Sequence, residues 1–213
     1  MEDVLEVYQR PADPLRPLVC LDEFAKQLLS ESRSPLAAKP GSLAKYDSEY
    51  VREGSVTGFI LAMPHLGQRE VFISETGRRT SLDYAYCLEY LAALHSGAEK
   101  IILVMDNLNT HKEASLYEAF EPEKARMLCE RFEIHYTPKH GSWLNMAEIE
   151  IGLLVRACLN QRLESSERMR QEVAAYLARK NAFPKPIEWK FSLQEARTKL
   201  SHVYPNPSLP SAN

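Results

Sequence analysis

The chain has 213 residues, 45% of them hydrophobic and 26% charged, which suits one domain with a sizeable core. Twenty-six basic residues against 29 acidic ones leave a net charge of −3. That balance excludes a strongly basic, stand-alone nucleic-acid binder, yet admits a nuclease domain that gathers acids around metal ions.

No stretch approaches the roughly 18 apolar residues of a membrane span. Met1-Glu2-Asp3-Val4 has neither the basic nor the apolar region of a secretory signal. Cys20, Cys87, Cys129 and Cys158 are widely spaced and form no C-x-x-C pair, so buried free thiols and a cytoplasmic location are expected.

In chain order, residues 1–17 hold three prolines and little periodicity, and read as a linker or irregular lead-in. The domain proper is expected over 18–204, with a flexible tail over 205–213. Residues 18–24 (LVCLDEF) are a short apolar run ending in acids, a first strand; residues 25–50 read mostly as loop. Residues 58–64 and 70–74 flank the turn-rich His65-Leu66-Gly67-Gln68, which predicts an antiparallel hairpin. Residues 81–95 have helical spacing with Thr80 as N-cap. Residues 100–106 (KIILVMD) form the strongest run: consecutive apolar residues of a strand covered on both faces, ending on a carboxylate. Thr110 and Glu113 have capping-box spacing, and helical pieces follow at about 112–120 and 122–132, the second opened by Pro122. A strand over 133–138, helices over about 143–161 and 165–181, and a last helix capped by Ser192 and Glu195 complete the order. The sum is an α/β fold, a mixed sheet of about five strands flanked by helices.

Open α/β sheets place their chemistry at the C-terminal tips of strands. Asp22 and Asp106 stand at two such tips. If their strands are neighbours, the carboxylates converge, and a third acid should come from the helix after the last strand. That helix offers Glu148 and Glu150, about 160° apart on the helical wheel. Glu148 shares a face with Asn145, Gly152 and Arg156. Glu150 lies among Met146, Leu153, Leu154 and Ala157. Glu148 is therefore the inward acid, and Glu150 is either paired or solvent-facing. Convergent carboxylates repel, and divalent cations remove that cost, so the set implies metal-assisted phosphoryl transfer.

Two strings carry a resemblance: 104–111 (VMDNLNTH) and 135–148 (HYTPKHGSWLNMAE). Together with 19–23, 114–120 and the Trp189, Phe191 and 195–200 region, they are similar to bacterial insertion-sequence transposases of the mariner-like superfamily, which carry a DDE superfamily endonuclease domain. The resemblance spans roughly 18–204. It implies a ribonuclease-H-like fold, catalytic and metal-ligating roles for Asp22, Asp106 and Glu148, and Mg2+ or Mn2+, two ions, as cofactor. It further implies metal-dependent DNA strand cleavage and strand transfer, DNA as partner, and a homodimer on DNA. The family's N-terminal helix-turn-helix region, which reads the element's ends, is expected to be absent from this chain.

The remaining candidates keep two readings each. Asn107 and Asn145 either orient a carboxylate or a metal-bound water, or serve as turn and helix-start residues. His111 and His140 are phosphate contacts or structural caps. Lys139 is a backbone contact to DNA or a solvated lysine. Trp143 reads as a core anchor rather than a stacking platform. Basic clusters at 77–79, at Lys139-His140, and at Arg156 with Arg162 read as solvated surface. The alternatives to a transposase are a non-catalytic descendant that binds DNA or a protein, and another ribonuclease-H-like nuclease.

Overall fold

The computed structural model describes residues 1–45, 47–74, 80–108 and 112–204. Five strands form one mixed sheet: β1 (Leu18–Glu31), β2 (Tyr50–Met63), β3 (Gln68–Ile73), β4 (Ile101–Met105) and β5 (Phe132–Tyr136), in the order β3-β2-β1-β4-β5. β3 pairs with β2 and β2 with β1 antiparallel, whereas β1–β4 and β4–β5 are parallel. This is the mixed five-stranded arrangement that the ribonuclease-H-like expectation requires.

Strand residues alternate between two apolar layers because successive side chains leave opposite faces of a pleated sheet. Cys20, Ile102 and Val104 enter one layer, with Leu154, Met169, Val173 and Tyr176. Val19, Leu21, Leu103 and Met105 enter the other, with Tyr84, Leu88, Leu91 and Leu128. The first layer is closed by α1 (Glu2–Tyr8), α5 (Ala147–Leu154), α6 (Ser166–Asn181) and α7 (Leu193–Lys199); the second by α2 (Ser81–Leu94), α3 (Ala114–Ala119) and α4 (Pro122–Arg131). β4 is buried along its whole length, which explains its unbroken apolar run.

Several predicted elements hold. Thr80 caps α2 in a full capping box with Asp83, Ser192 does the same for α7 with Glu195, and Pro122 opens α4. The hairpin turn between β2 and β3 holds Gly67 at φ +64°. A Cβ there would also meet the Lys185 backbone at 2.2 Å, so glycine is required twice over. The Thr110 cap, the Arg78–Arg79 cluster and the 205–213 tail lie outside the described residues.

Three expectations are corrected. Residues 1–17 are not simply a linker: α1 buries Val4, Leu5, Val7 and Tyr8. Its seven residues are too few to show a helical period, and its anchors are remote in sequence. Tyr8 stacks on Trp189 at 5.0 Å, and Glu2 meets Arg197 through two bonds of 2.8 Å. The first strand runs past the expected 18–24, so the loop is confined to 32–49. β1 continues to Glu31 and pairs with β2 from Tyr50, with a register shift between Gln27 and Leu29. The outer end of β2 faces water and that of β1 is only half-buried, so backbone pairing leaves little apolar signature there. The helix expected over 143–161 is broken into a 3-10 turn (Ser142–Leu144), α5, and a five-residue π turn (Val155–Leu159).

Burial of α1 makes it part of the core. Leu5→Ala should cost about 2–5 kcal/mol in urea unfolding; a cost under about 1 kcal/mol would return α1 to the status of a lead-in.

Candidate active site

The β1–β4 ladder ends at Cys20 opposite Val104. Two residues further on, Asp22 and Asp106 occupy matching positions on the two parallel chains. Period-2 alternation gives them the face of Cys20 and Val104, which is the face covered by α5. Glu148 lies in the first turn of α5 and is exposed at that edge. The three carboxylates thus come from three elements and share one electrostatic neighbourhood. The Asp22 carboxyl is pushed up to about 6, chiefly by burial and further by the charges of Asp106, Glu148 and Glu23, against a lowering bond from the Glu23 backbone. That bond runs from the Glu23 N–H to Asp22 Oδ1 at 2.8 Å.

Asn145 is buried and precedes α5 rather than riding on it. Its Nδ2 donates to the Leu21 carbonyl at 2.8 Å and reaches Asp22 Oδ2 at 3.4 Å; its Oδ1 accepts from the Ala147 N–H at 3.1 Å. One side chain thus starts the helix and also touches a candidate carboxylate. At the far end of the same helical segment, Lys26 Nζ donates to the carbonyls of Leu159 (2.7 Å) and Gln161 (2.8 Å). Helix C-termini leave such carbonyls without intrahelical partners. β1 therefore grips the α5 segment at both ends. Tyr8 Oη adds a third hold, donating to the Leu144 carbonyl at 2.6 Å.

Glu150 faces away from this edge. It is 3% exposed and pairs with Arg69 of β3: Nη2 donates to Oε1 at 3.1 Å, and Nε lies 2.8 Å from Oε2. The choice between paired and solvent-facing is settled as paired. Arg69 was not among the sequence candidates, although an acid placed among apolar wheel neighbours already called for a buried cation. Tyr8 was missed as well, because nothing local in the sequence links it to Leu144.

Asn107 is exposed in the segment after β4. Lys139 and His140 are exposed in the turn leading to the 3-10 helix, with His140 at φ +62°. None of these three has a bond drawing it toward the carboxylates among the described contacts. His111 lies outside the described residues. Trp143 is corrected: it is 47% exposed, with one edge against Phe191 at 5.8 Å, so it is a surface aromatic rather than a core anchor.

Among the described residues, no three Asp, Glu, His or Cys groups already stand close enough to cage a metal ion. Unneutralised carboxylates repel, and the two bonds to Asp22 hold its oxygens against the protein. The donors are nonetheless all hard oxygens on one partly desolvated edge, the set that suits Mg2+ or Mn2+.

The displaced acidity of Asp22 has a thermodynamic consequence. Above pH 4 the unfolded chain releases this proton, whereas the folded chain retains it to about pH 6. Stability should fall as pH rises through that window. Asp22→Asn should remove this loss and raise the metal-free melting temperature at pH 7 by a few degrees. A lower melting temperature for the variant at pH 7 would overturn this account.

Residues 17–170 match the family model described as DDE superfamily endonuclease. Solved structures similar to this chain include the Mos1 strand transfer complex (19% identity, TM-score 0.47, 82% of this chain and 50% of that chain). The Mos1 mariner paired end complex with Mn gives 18%, 0.48, 82% and 52%, and the complex with Mg gives 16%, 0.45, 86% and 55%. The chain spans about half the length of those proteins. No curated protein matches it. With the family model covering well over half of its length, the chain belongs to the DDE superfamily endonucleases.

Proposed function

We propose that this chain is the catalytic part of a mariner-like insertion-sequence transposase, cutting and joining DNA strands by phosphoryl transfer. The observation that carries the reading is the edge shared by Asp22, Asp106 and Glu148, where burial and mutual repulsion already push the Asp22 carboxyl up to about 6. Such strain is what a bound cation relieves, and a desolvated carboxylate with like-charged neighbours is the pattern of a functional site.

In this reading Asp22 and Asp106 hold divalent ions from adjacent strands, and Glu148 holds one from the helix. Two ions, Mg2+ or Mn2+, are proposed. When bound, they supply charge neutralisation for the scissile phosphate and a nucleophile at neutral pH. The protein's own contribution is placement. The parallel register aligns the two aspartates, Asn145 fixes the start of α5 relative to Leu21 and Asp22, and Lys26 fixes its end. Asn107, His111, Lys139 and His140 are proposed as contacts to DNA or to the carboxylates. DNA is the substrate, two copies act together on it, and a helix-turn-helix part reads the element's ends. The reaction belongs in the cytoplasm, where DNA and the reduced free thiols share a compartment. No described helix is long and apolar enough to cross a membrane.

A second reading, a non-catalytic descendant that binds DNA or protein, is favoured by the net charge of −3. Metal-dependent nicking separates the two. Asp106→Asn should lower nicking of plasmid DNA in Mg2+ by at least about a hundredfold, with the urea midpoint unchanged. Nicking at the wild-type rate in that variant would sink the catalytic reading. Wild-type protein that neither nicks nor takes up millimolar Mg2+ by calorimetry would establish the second.

A further inference from the structure

A cleft of about 640 Å³ opens on the flank of α5 that carries Glu150. Its floor is the buried Arg69–Glu150 pair, whose charges cancel. Its rim is unbalanced: Arg179 and Lys180 end α6, and Lys185 follows, and none of the three makes an ion pair with a described residue. Three positive charges are thus concentrated at one place on a chain that is negative overall. The lining also holds two apolar side chains turned to water, Phe183 at 82% exposed and Ile149 at 48%. Ile149 belongs to α5, the helix that also carries Glu148.

The cleft is also built rather than incidental. Asn181 closes the β3 edge by exchanging two bonds with the Arg69 backbone (2.8 and 3.2 Å). The Lys185 backbone is seated over Gly67, where no Cβ would fit, and the Ile187 N–H donates to the Pro64 carbonyl at 2.9 Å. These contacts hold the 185–187 segment, and with it the rim, against the sheet.

We infer that this cleft, on the flank of α5 turned away from the carboxylate edge, binds an unpaired DNA strand, its phosphates on Arg179, Lys180 and Lys185 and a base on Phe183. The inference rests on the DNA-cleaving reading above and adds where one strand runs. Cations alone would suit any phosphate backbone. The exposed aromatic among them favours bases that are free to stack, which a duplex does not offer from its backbone side.

The test is fluorescence anisotropy of the whole chain in EDTA, with a labelled 12-nucleotide oligo-dT and a labelled 12-base-pair duplex as probes. Without metal, no cutting intervenes. The double variant K180E/K185E should bind oligo-dT at least tenfold more weakly. Its plot of log K against log salt should be shallower by about 1.4, from two lost contacts at about 0.7 each. Phe183→Ala should weaken oligo-dT binding severalfold with an unchanged salt slope. All three positions lie on the rim, and a melting curve for each variant confirms its fold. Oligo-dT binding that is indifferent to both variants overturns the inference. So does a loss confined to the duplex, which would assign the cleft to double-stranded DNA. The catalytic reading is judged apart from this, by the metal-dependent nicking of wild type and Asp106→Asn.

Discussion

The parallel pairing of β1 with β4 is the constraint on which the candidate site depends. Parallel strands run their C-terminal tips to the same edge, and the register decides which residues meet there. With Cys20 opposite Val104, the next residues on that face are two aspartates. A one-residue slip would turn one of them toward the opposite apolar layer, where a charge has no place. The residues that fix the register are the buried Leu18, Val19, Cys20, Ile102, Leu103 and Val104. The core therefore aligns the carboxylates, and hydrophobic burial sustains an arrangement that electrostatics alone would push apart.

That balance bears on how much of the molecule was legible in its residues. β4 could be read because burial on both faces demands an unbroken apolar run, and the capping boxes of α2 and α7 because they are written within four residues. The sheet order could be anticipated only in kind, since strand pairing is a relation between distant segments. The outer halves of β1 and β2 were hidden because few of their side chains are buried and the pairing there runs mainly through the backbones. α1 was hidden because its partners, Trp189 and Arg197, stand nearly the whole chain away.

The site divides along the same line. The wheel set Glu148 and Glu150 on opposite sides of the helix even though the helix starts at Ala147 rather than earlier, because a phase difference between two residues survives an error in the boundary. It could not say what Glu150 meets. Arg69 comes from the far edge strand, and a buried carboxylate identifies its need for a cation without naming it. Trp143 was misjudged for a related reason. A tryptophan is more often buried than not, but the 3-10 turn that carries it points it outward, and backbone geometry of that kind is not encoded in hydropathy.

The double grip of β1 on the α5 segment sets a timescale. Asn145 holds one end and Lys26 the other, so the helix can neither slide along the strand nor roll about its own axis without breaking both. Any approach of the three carboxylates must then come from rotation about side-chain bonds. Such rotations take picoseconds to nanoseconds, whereas helix shifts take microseconds or longer. The backbone in that sense already sets the candidate carboxylates along one edge, and only their side-chain torsions are left to adjust.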